Sequence, residues 1–326
     1  MRKMIRITQT YVLVLMAVAL WTNCSTDNEN GIFVDSVATD GDLTEGENTD
    51  CSNTTSIFEI NLNPGDCTVD VQNFLGIVSS YSETVAGTTR NIALNGVANH
   101  FVGQFPNSGN PNTITERVEN YSMTTQPELA ANVTFGQGYT MSVYFSGVVG
   151  EPYTAEFFMG SDGTLNRDWN ITTLQNEVNL GLDCNNAHVQ PTGRYHYHGS
   201  PSNYASQQGI DGSAMVKIGY AADGFPIYYK YVYADDGTTI TEVRSGYQLK
   251  TTDRGGDGIS APDGCPNGLY FQDYEYVDGL SSLDMCNGRF GKTPESESEY
   301  FYVVTDNFPS APLCFSGTPD DSFSFR

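Results

Sequence analysis

Residues 183–199 read DCNNAHVQPTGRYHYHG, and this stretch holds three of the four histidines in a chain of 326 residues. The segment QPTG at 190–193 is typical of a turn that folds the residues on its two sides into a short hairpin. His196 and His198 stand two positions apart, so on a β-strand both imidazoles lie on one face, about 7 Å apart along the chain. Because the turn brings His188 back towards this pair, the stretch predicts a β-hairpin that carries a cluster of three histidines.

A cluster of this kind is typical of a transition-metal site. Three imidazoles with an open fourth position suit Zn²⁺ or Cu²⁺, either as a Lewis acid or in redox chemistry. His100, in the segment ANHFVG, is a further candidate ligand. Asp183, Tyr195 and Tyr197 are candidates for the shell that orients the metal-binding rings. The alternative is a half-buried strand face whose imidazoles bond to backbone carbonyls without a metal.

Three acidic residues, Asp223, Asp273 and Glu275, are candidates for acid–base chemistry. Asp273 and Glu275 share one face if they lie on a strand, and paired carboxylates can bind Ca²⁺ or act as general acid and base. A solvated face is the alternative on so acidic a chain, and the turn at Asp223–Gly224 is a sufficient structural reason for Asp223. The sequence contains no G-x-S-x-G, H-E-x-x-H, P-loop or G-x-G-x-x-G motif.

The composition favours strands and tight turns, since Tyr (20), Phe (17) and Gly (33) are abundant. DDG at 235–237 predicts a hairpin turn, residues 170–180 predict one short helix, and no internal repeat of fixed period is visible. We therefore expect a mainly β fold, a single sandwich- or barrel-like domain with long loops and few short helices. The β-rich runs are 139–149, 153–159, 194–199, 215–220, 227–233 and 300–305.

The N-terminal residues predict an exported protein. Residues 1–23 have a basic start and an apolar core, YVLVLMAVAL, that is too short to span a bilayer, as in a signal peptide. Cys24 follows directly and is typical of a lipoprotein, although residues 21–23 fit the processing motif poorly. We expect a cell-envelope or cell-surface protein attached to the membrane through a lipid on Cys24; a secreted or periplasmic protein is the alternative. Residues 24–55 predict an acidic flexible tether, and residues 56–326 the folded domain.

The net charge of −24 disfavours nucleic acid as a partner, because contact with phosphates needs a basic surface. The acidic loops are weak candidates for Ca²⁺; the run DNENG at 27–31, for example, lacks the distal Glu of a calcium loop.

The seven cysteines predict disulfide bonds in an oxidising compartment. If Cys24 carries a lipid, six cysteines remain for three bonds, and fifteen pairings are open. Among these pairings we predict Cys51–Cys67, Cys184–Cys265 and Cys286–Cys314.

The run AHVQPTGRYHYHG resembles the signature of the bacterial YHYH-domain proteins, named for the tetrapeptide at 195–198. The resemblance covers about residues 75–326 and implies no particular activity. Many members resemble YHYH again near the C-terminal end, where this chain reads YFYV at 300–303, so a site using histidines from both copies would lose its second half here. The other matching segments are NGVANH (95–100), FPN (105–107), GNPN (109–112), GYAADGFPIY (219–228), FQDYEY (271–276), LDMCNGRFG (283–291) and CFSGTP (314–319).

Three functions remain open on the sequence alone, and it does not decide whether the protein is an enzyme. The first is an exported copper or zinc protein with His188, His196 and His198 as ligands. The second is a non-enzymatic surface module whose tyrosines and histidines face a glycan or small molecule. The third is a metal-independent hydrolase with a histidine base and Asp273 or Glu275.

Overall fold

A computed structural model describes residues 50–52, 66–175 and 177–325. Two short α-helices, α1 (Val71–Leu75) and α2 (Ser202–Gln207), and two 3₁₀ turns, Phe271–Asp273 and Asp321–Phe323, accompany the strands. The strands are β1 (Val69–Asp70), β2 (Tyr81–Ala86), β3 (Thr89–Leu94), β4 (Phe101–Val102), β5 (Glu119–Thr124), β6 (Thr134–Phe135), β7 (Ser142–Tyr144), β8 (Val149–Gly150), β9 (Phe157–Met159), β10 (Leu165–Asn170), β11 (Ala187–Val189), β12 (Tyr195–Tyr197), β13 (Lys217–Ala221), β14 (Pro226–Tyr228), β15 (Tyr231–Tyr233), β16 (Ile240–Glu242), β17 (Tyr247–Leu249), β18 (Tyr274–Tyr276), β19 (Gly288–Gly291), β20 (Glu299–Val303) and β21 (Cys314–Phe315).

An eight-stranded sheet, curled into a half-barrel, forms the centre of the fold in the order β11-β12-β8-β7-β13-β14-β20-β19. The pairs β12–β8 and β14–β20 are parallel, and the other five pairs are antiparallel. The largest apolar cluster packs against this sheet and includes Tyr195, Tyr197 and Tyr302, each at most 1% exposed. The predicted mainly β, barrel-like fold with few short helices is confirmed.

The sheet consists of two halves with the same topology. The first half contains β7, β8, β11 and β12, and the second half contains β13, β14, β19 and β20. In each half one hairpin is followed by another, whose last strand pairs in parallel with the first hairpin. The second half carries a longer insertion between its hairpins, so equivalent residues are unevenly spaced. This uneven spacing explains why the sequence shows no repeat of fixed period.

The strand registers define which residues of the two halves are equivalent. His188 pairs with His196 in the first half, and Arg289 pairs with Phe301 at the same place in the second half. His196 is thus equivalent to Phe301. His198 and Val303 each follow these residues by two positions, so they are equivalent as well. The parallel pairs place Glu151, directly after β8, at the position of Tyr228 in β14.

Both halves also share the loop that enters the second hairpin. An asparagine with positive φ starts each hairpin, Asn186 at 53° and Asn287 at 58°. The carbonyl of Asn186 accepts a hydrogen bond from the amide of His198 (2.7 Å), and the carbonyl of Asn287 accepts one from the amide of Val303 (2.9 Å). These matching backbone bonds fix the two hairpins in the same conformation.

The helix predicted over residues 170–180 is wrong. Asn170 ends β10, and its buried amide donates to the carbonyl of Glu156 (2.7 Å). The side-chain oxygen of Gln175 accepts the amide of Val178 (2.8 Å), which replaces a helical backbone bond. Side chains that bond the local backbone in this way favour turns over helix. The hairpin predicted at 235–237 is confirmed, since β15 pairs with β16 around it.

Three disulfides join the six cysteines among the described residues, and two of the predicted pairings are wrong. The bonds are Cys51–Cys265, Cys67–Cys184 and Cys286–Cys314. Only the last agrees with the prediction, because pairing by proximity in sequence misses bonds between distant segments. Cys51 is 2% exposed, so its bond attaches this point of the predicted tether to the folded domain.

The predicted signal peptide, Cys24, the acidic run at 27–31 and most of the predicted tether lie outside the described residues. Within the described part of the chain, no helix combines the length and the apolar composition that crossing a bilayer requires.

Candidate metal centre

The predicted hairpin forms around the turn at 190–193. Gly193, at a φ of 84°, donates its amide to the carbonyl of Gln190 (2.8 Å), which closes the turn between β11 and β12. The antiparallel register places His188 opposite His196. His198 follows two positions after His196 and lies on the same face. The local sequence therefore suffices to bring all three rings to one side of the hairpin.

The three imidazoles converge in a compact cluster. Ring centroids are 4.9 Å apart for His188 and His196, and 4.5 Å apart for His196 and His198. The Nε2 atoms of His188 and His198 lie 3.0 Å from each other. One nitrogen from each ring lies within 4.8 Å of the others, and no other group of this kind occurs among residues 50–52, 66–175 and 177–325.

The second nitrogen of each ring faces a backbone carbonyl. The Nδ1 of His188 lies 2.9 Å from the oxygen of Leu180, that of His196 lies 3.3 Å from the oxygen of Arg194, and that of His198 lies 3.4 Å from the oxygen of Pro152. A carbonyl oxygen only accepts, so we assign the hydrogen to Nδ1 in each neutral ring. This tautomer leaves a lone pair on every Nε2, and those of His188 and His198 face each other.

Burial holds these imidazoles in their neutral form. Desolvation lowers the pKa of His188, and lowers those of His196 and His198 well below the ordinary value. Repulsion from neighbouring imidazolium charges lowers them further for His196 and His198. With both hydrogens on Nδ1, two Nε2 lone pairs at 3.0 Å repel each other unless a cation lies between them. In the other neutral arrangement one Nε2–H donates to the second ring, and the donating ring then has no hydrogen on Nδ1 for its carbonyl.

A buried ion pair borders the cluster. Glu151, 4% exposed, accepts from a guanidinium nitrogen of Arg194 and from the hydroxyl of Thr140 (3.0 Å). Its other carboxylate oxygen accepts from Gln190 (2.5 Å) and lies 4.0 Å from the Nε2 of His196. Desolvation raises the pKa of Glu151, and the charge of Arg194 opposes that rise. The cluster thus has one negatively charged neighbour, held by its own set of donors.

His100 does not belong to the cluster. Its Nδ1 lies 2.9 Å from the oxygen of Phe101, and its Nε2 lies 2.5 Å from the hydroxyl of Tyr197. Tyr195 and Tyr197 alternate with the histidines along β12, so both rings lie on the opposite face, in the apolar core. The prediction that these two tyrosines surround the histidine site is therefore wrong, because it ignored the period of the strand.

Asp183 orients a tyrosine and not a histidine. Its carboxylate accepts from the hydroxyl of Tyr195 (2.6 Å) and from the amide of Gly103 (2.8 Å). Burial raises the pKa of Asp183 to about 6, while these donors oppose the rise. The predicted role beside a metal ligand is wrong, and Asp183 instead anchors the buried face of β12.

The predicted acid–base pair does not form. Asp273 is fully buried at the end of a 3₁₀ turn, where both its oxygens accept from Arg254 (2.8 Å each), whereas Glu275 is exposed on β18 and accepts from Gln248 (2.9 Å). The two carboxylates therefore do not share a strand face. Asp223 is also structural, since it accepts from the hydroxyl of Tyr302 (2.6 Å).

The carbonyls of Leu180 and Pro152 and the carboxylate of Glu151 were not among the residues predicted for the site. Backbone carbonyls carry no residue-type signal. Glu151 did carry one, because it is the single charged residue between the β-rich runs 139–149 and 153–159.

Comparison with known proteins agrees with the resemblance noted in the sequence. No curated protein and no solved structure matches the chain. The family model described as YHYH protein matches residues 120–317, more than half of the chain, and that span includes both hairpins of each half of the sheet. The chain therefore belongs to the YHYH protein family.

Proposed function

We propose that this YHYH protein holds one copper or zinc ion through the Nε2 atoms of His188, His196 and His198. The observation that carries the proposal is the orientation of the rings: each Nδ1 lies at a backbone carbonyl, the Nε2 atoms of His188 and His198 are 3.0 Å apart, and one nitrogen of each ring lies within 4.8 Å of the others. A bond from the second nitrogen is the usual means of fixing the tautomer and the direction of a metal-binding histidine.

The spacing of the nitrogens fits such an ion. Tetrahedral coordination at metal–nitrogen distances of about 2.0–2.1 Å separates the ligand nitrogens by about 3.3 Å. The Nε2 atoms of His188 and His198 are 3.0 Å apart, and the whole set lies within 4.8 Å, so small ring rotations complete the geometry. Imidazole ligands favour copper and zinc, whereas calcium prefers oxygen ligands.

Three protein ligands leave a fourth position for a water molecule or a substrate, as in catalytic zinc sites. Zinc would supply a Lewis acid there, and copper would add redox chemistry. His196 and His198 are each 2% exposed, and His188 is half-buried. The most accessible edge of the cluster is thus at His188, and we expect only a small molecule to reach the metal.

The metal proposal is tested by metal uptake. The exported Cys24→Ser chain, stripped with chelator and titrated with Cu²⁺ or Zn²⁺, is expected to bind close to one equivalent by elemental analysis and calorimetry. His196→Ala and His198→Ala remove one ligand each and abolish this uptake. His100→Ala is the matched control and keeps it, because His100 bonds on the other face of β12. If His196→Ala takes up as much metal as the parent chain, the histidine cluster is not the metal site.

We further propose that the protein is exported and attached to the cell envelope through a lipid on Cys24. The basic and apolar segment 1–23 supports export, as do the three disulfides, which persist in oxidising compartments. Cell fractionation tests the anchor. Cys24→Ser is expected to move the protein from the membrane fraction to the soluble fraction, and retention with the membranes contradicts the lipid anchor.

A further inference from the structure

Glu151 is a buried carboxylate whose two oxygens have different surroundings. One oxygen is held by Arg194 and Thr140, which neutralise and orient it. The other is fixed by the amide of Gln190 (2.5 Å) and directed towards the Nε2 of His196, at 4.0 Å. The ion pair with Arg194 uses only the first oxygen, and the bond from Gln190 holds the second on the side of the histidine cluster.

The 4.0 Å distance excludes a direct hydrogen bond between this oxygen and His196. It matches the spacing of two groups that contact the same small molecule, because a polar separation beyond 3.5 Å is commonly bridged by water. Glu151 also lies outside the group of side chains that converge closely enough to ligate one ion.

We propose, on the basis of the proposed function, that Glu151 positions the fourth ligand of the metal, a water molecule. The oxygen that Gln190 fixes accepts a second hydrogen bond from that water, and the negative charge of Glu151 disfavours anions at the same position. Glu151 is therefore a positioning residue that selects a neutral small ligand over an anionic one.

The second half of the sheet agrees with this assignment. There the equivalents of His196 and His198 are Phe301 and Val303, and the equivalent of Glu151 is Tyr228. The carboxylate and the imidazoles thus occur together in one half and are absent together from the matching positions in the other. Arg194, the ion-pair partner of Glu151, is likewise replaced at its matching position, by Glu299, so Glu151 occurs together with both Arg194 and the histidines.

Azide binding to the copper-loaded chain tests the proposal, with the azide-to-copper absorption band as the readout. Glu151→Gln removes the charge at nearly constant shape and is expected to raise azide affinity roughly tenfold, because a nearby buried charge opposes anion binding by at least that amount. Glu119→Gln is the matched control, since Glu119 also pairs with Arg194 (2.9 Å). Its azide affinity is expected to stay within about twofold of the parent chain.

Glu151→Asp covers the case in which Glu151→Gln fails to fold. It keeps the charge but withdraws the whole carboxylate from the metal by about one bond length, so a rise of roughly threefold is expected. Azide affinity unchanged in the Glu151 variants, or raised equally by Glu119→Gln, makes Glu151 only a partner of Arg194. A parent chain that takes up no copper instead overturns the metal proposal, and this one with it.

Discussion

The first half of the central sheet presents His196 of β12 and His198, just after that strand, on one face, whereas the second half presents Phe301 and Val303 of β20 on the same face. The strand order, the parallel pairing and the hairpin registers agree between the halves. The backbone frame is therefore independent of the histidines. A few side chains on one face decide whether the frame carries a polar cluster or an apolar core.

The second half uses this face for stability. Phe301 and Val303 are fully buried in an apolar cluster of their own with Tyr228, which occupies the place of Glu151. Arg289, the equivalent of His188, turns to Asp235 at 2.6 Å. The same positions thus bury apolar surface in one half and polar nitrogens in the other. Only the apolar half therefore gains the full stabilisation that hydrophobic burial gives to the folded state.

Removing the central ring from each half should produce the largest difference. Phe301→Ala is expected to lower the free energy of unfolding by about 3–5 kcal/mol, because it leaves a cavity in a buried apolar cluster. His196→Ala in chelator is expected to cost less than about 2 kcal/mol, since the loss of contacts is offset by the removal of a poorly satisfied buried nitrogen. Urea denaturation of both variants measures the two values.

Metal uptake provides the reverse control. Phe301→Ala is expected to bind one equivalent of metal, and His196→Ala none. Equal losses of stability in the two variants would mean that the histidine face packs as a core, and the contrast between the halves would not hold.

The buried tyrosines that anchor each hairpin allow a second comparison. Tyr195 donates to Asp183 and Tyr300 donates to Asp284, both at 2.6 Å. Asp183 is 1% exposed, whereas Asp284 is half-buried. At pH 8, Tyr195→Phe is expected to cost about 1.5–3 kcal/mol and Tyr300→Phe about 0.5–1.5 kcal/mol, because only Asp284 can exchange its lost donor for water.

The penalty in Tyr195→Phe should depend on pH. The pKa of Asp183 is raised from its ordinary value of 3.8 to about 6, so this group lowers the free energy of unfolding as pH rises between those values. Loss of the Tyr195 hydroxyl removes a donor to the charged form and raises that pKa further. The cost of the substitution is therefore largest above pH 7 and shrinks towards pH 5, and a pH-independent cost in urea denaturation would contradict the assignment.

The sequence predicted the first half better than the second because the histidines mark the hairpin. A period of two and a four-residue turn are local features, and they suffice to bring His188, His196 and His198 together. The equivalent hairpin at Phe301 has no rare residue to mark it. Its β-rich run was visible at 300–305, but the match to the first half appears only in the strand registers.

The features that failed depend on contacts between distant segments. Cys67 bonds to Cys184 and Cys51 to Cys265, and no local pattern selects these pairs from the fifteen that were open. Glu151 reaches His196 only through the parallel pairing of β8 with β12. The sequence thus predicted the three histidines that share one hairpin but not the carboxylate that a neighbouring strand supplies.

The smallest expected difference lies at the two asparagines with positive φ. The side-chain amide of Asn186 donates to the carbonyl of Ser200 at 2.7 Å, whereas that of Asn287 reaches the hydroxyl of Thr305 only at 3.4 Å. Glycine tolerates positive φ, so substitution by glycine isolates the amide bond plus the entropy of the unfolded chain. Asn186→Gly is expected to cost about 1–2 kcal/mol and Asn287→Gly about 0.5–1 kcal/mol in urea denaturation.

Alanine at the same two positions serves as the control for backbone strain. Each Asn→Ala variant is expected to be less stable than its glycine counterpart by about 1 kcal/mol, since alanine disfavours a φ of 53° or 58°. If the alanine and glycine variants differ in stability by the same amount at both sites, the two halves share the same backbone strain. If the two glycine substitutions also cost different amounts, the halves differ in the hydrogen bond that the asparagine side chain makes. If the glycine variants instead lose the same stability, the stronger amide bond of Asn186 contributes nothing to the histidine hairpin.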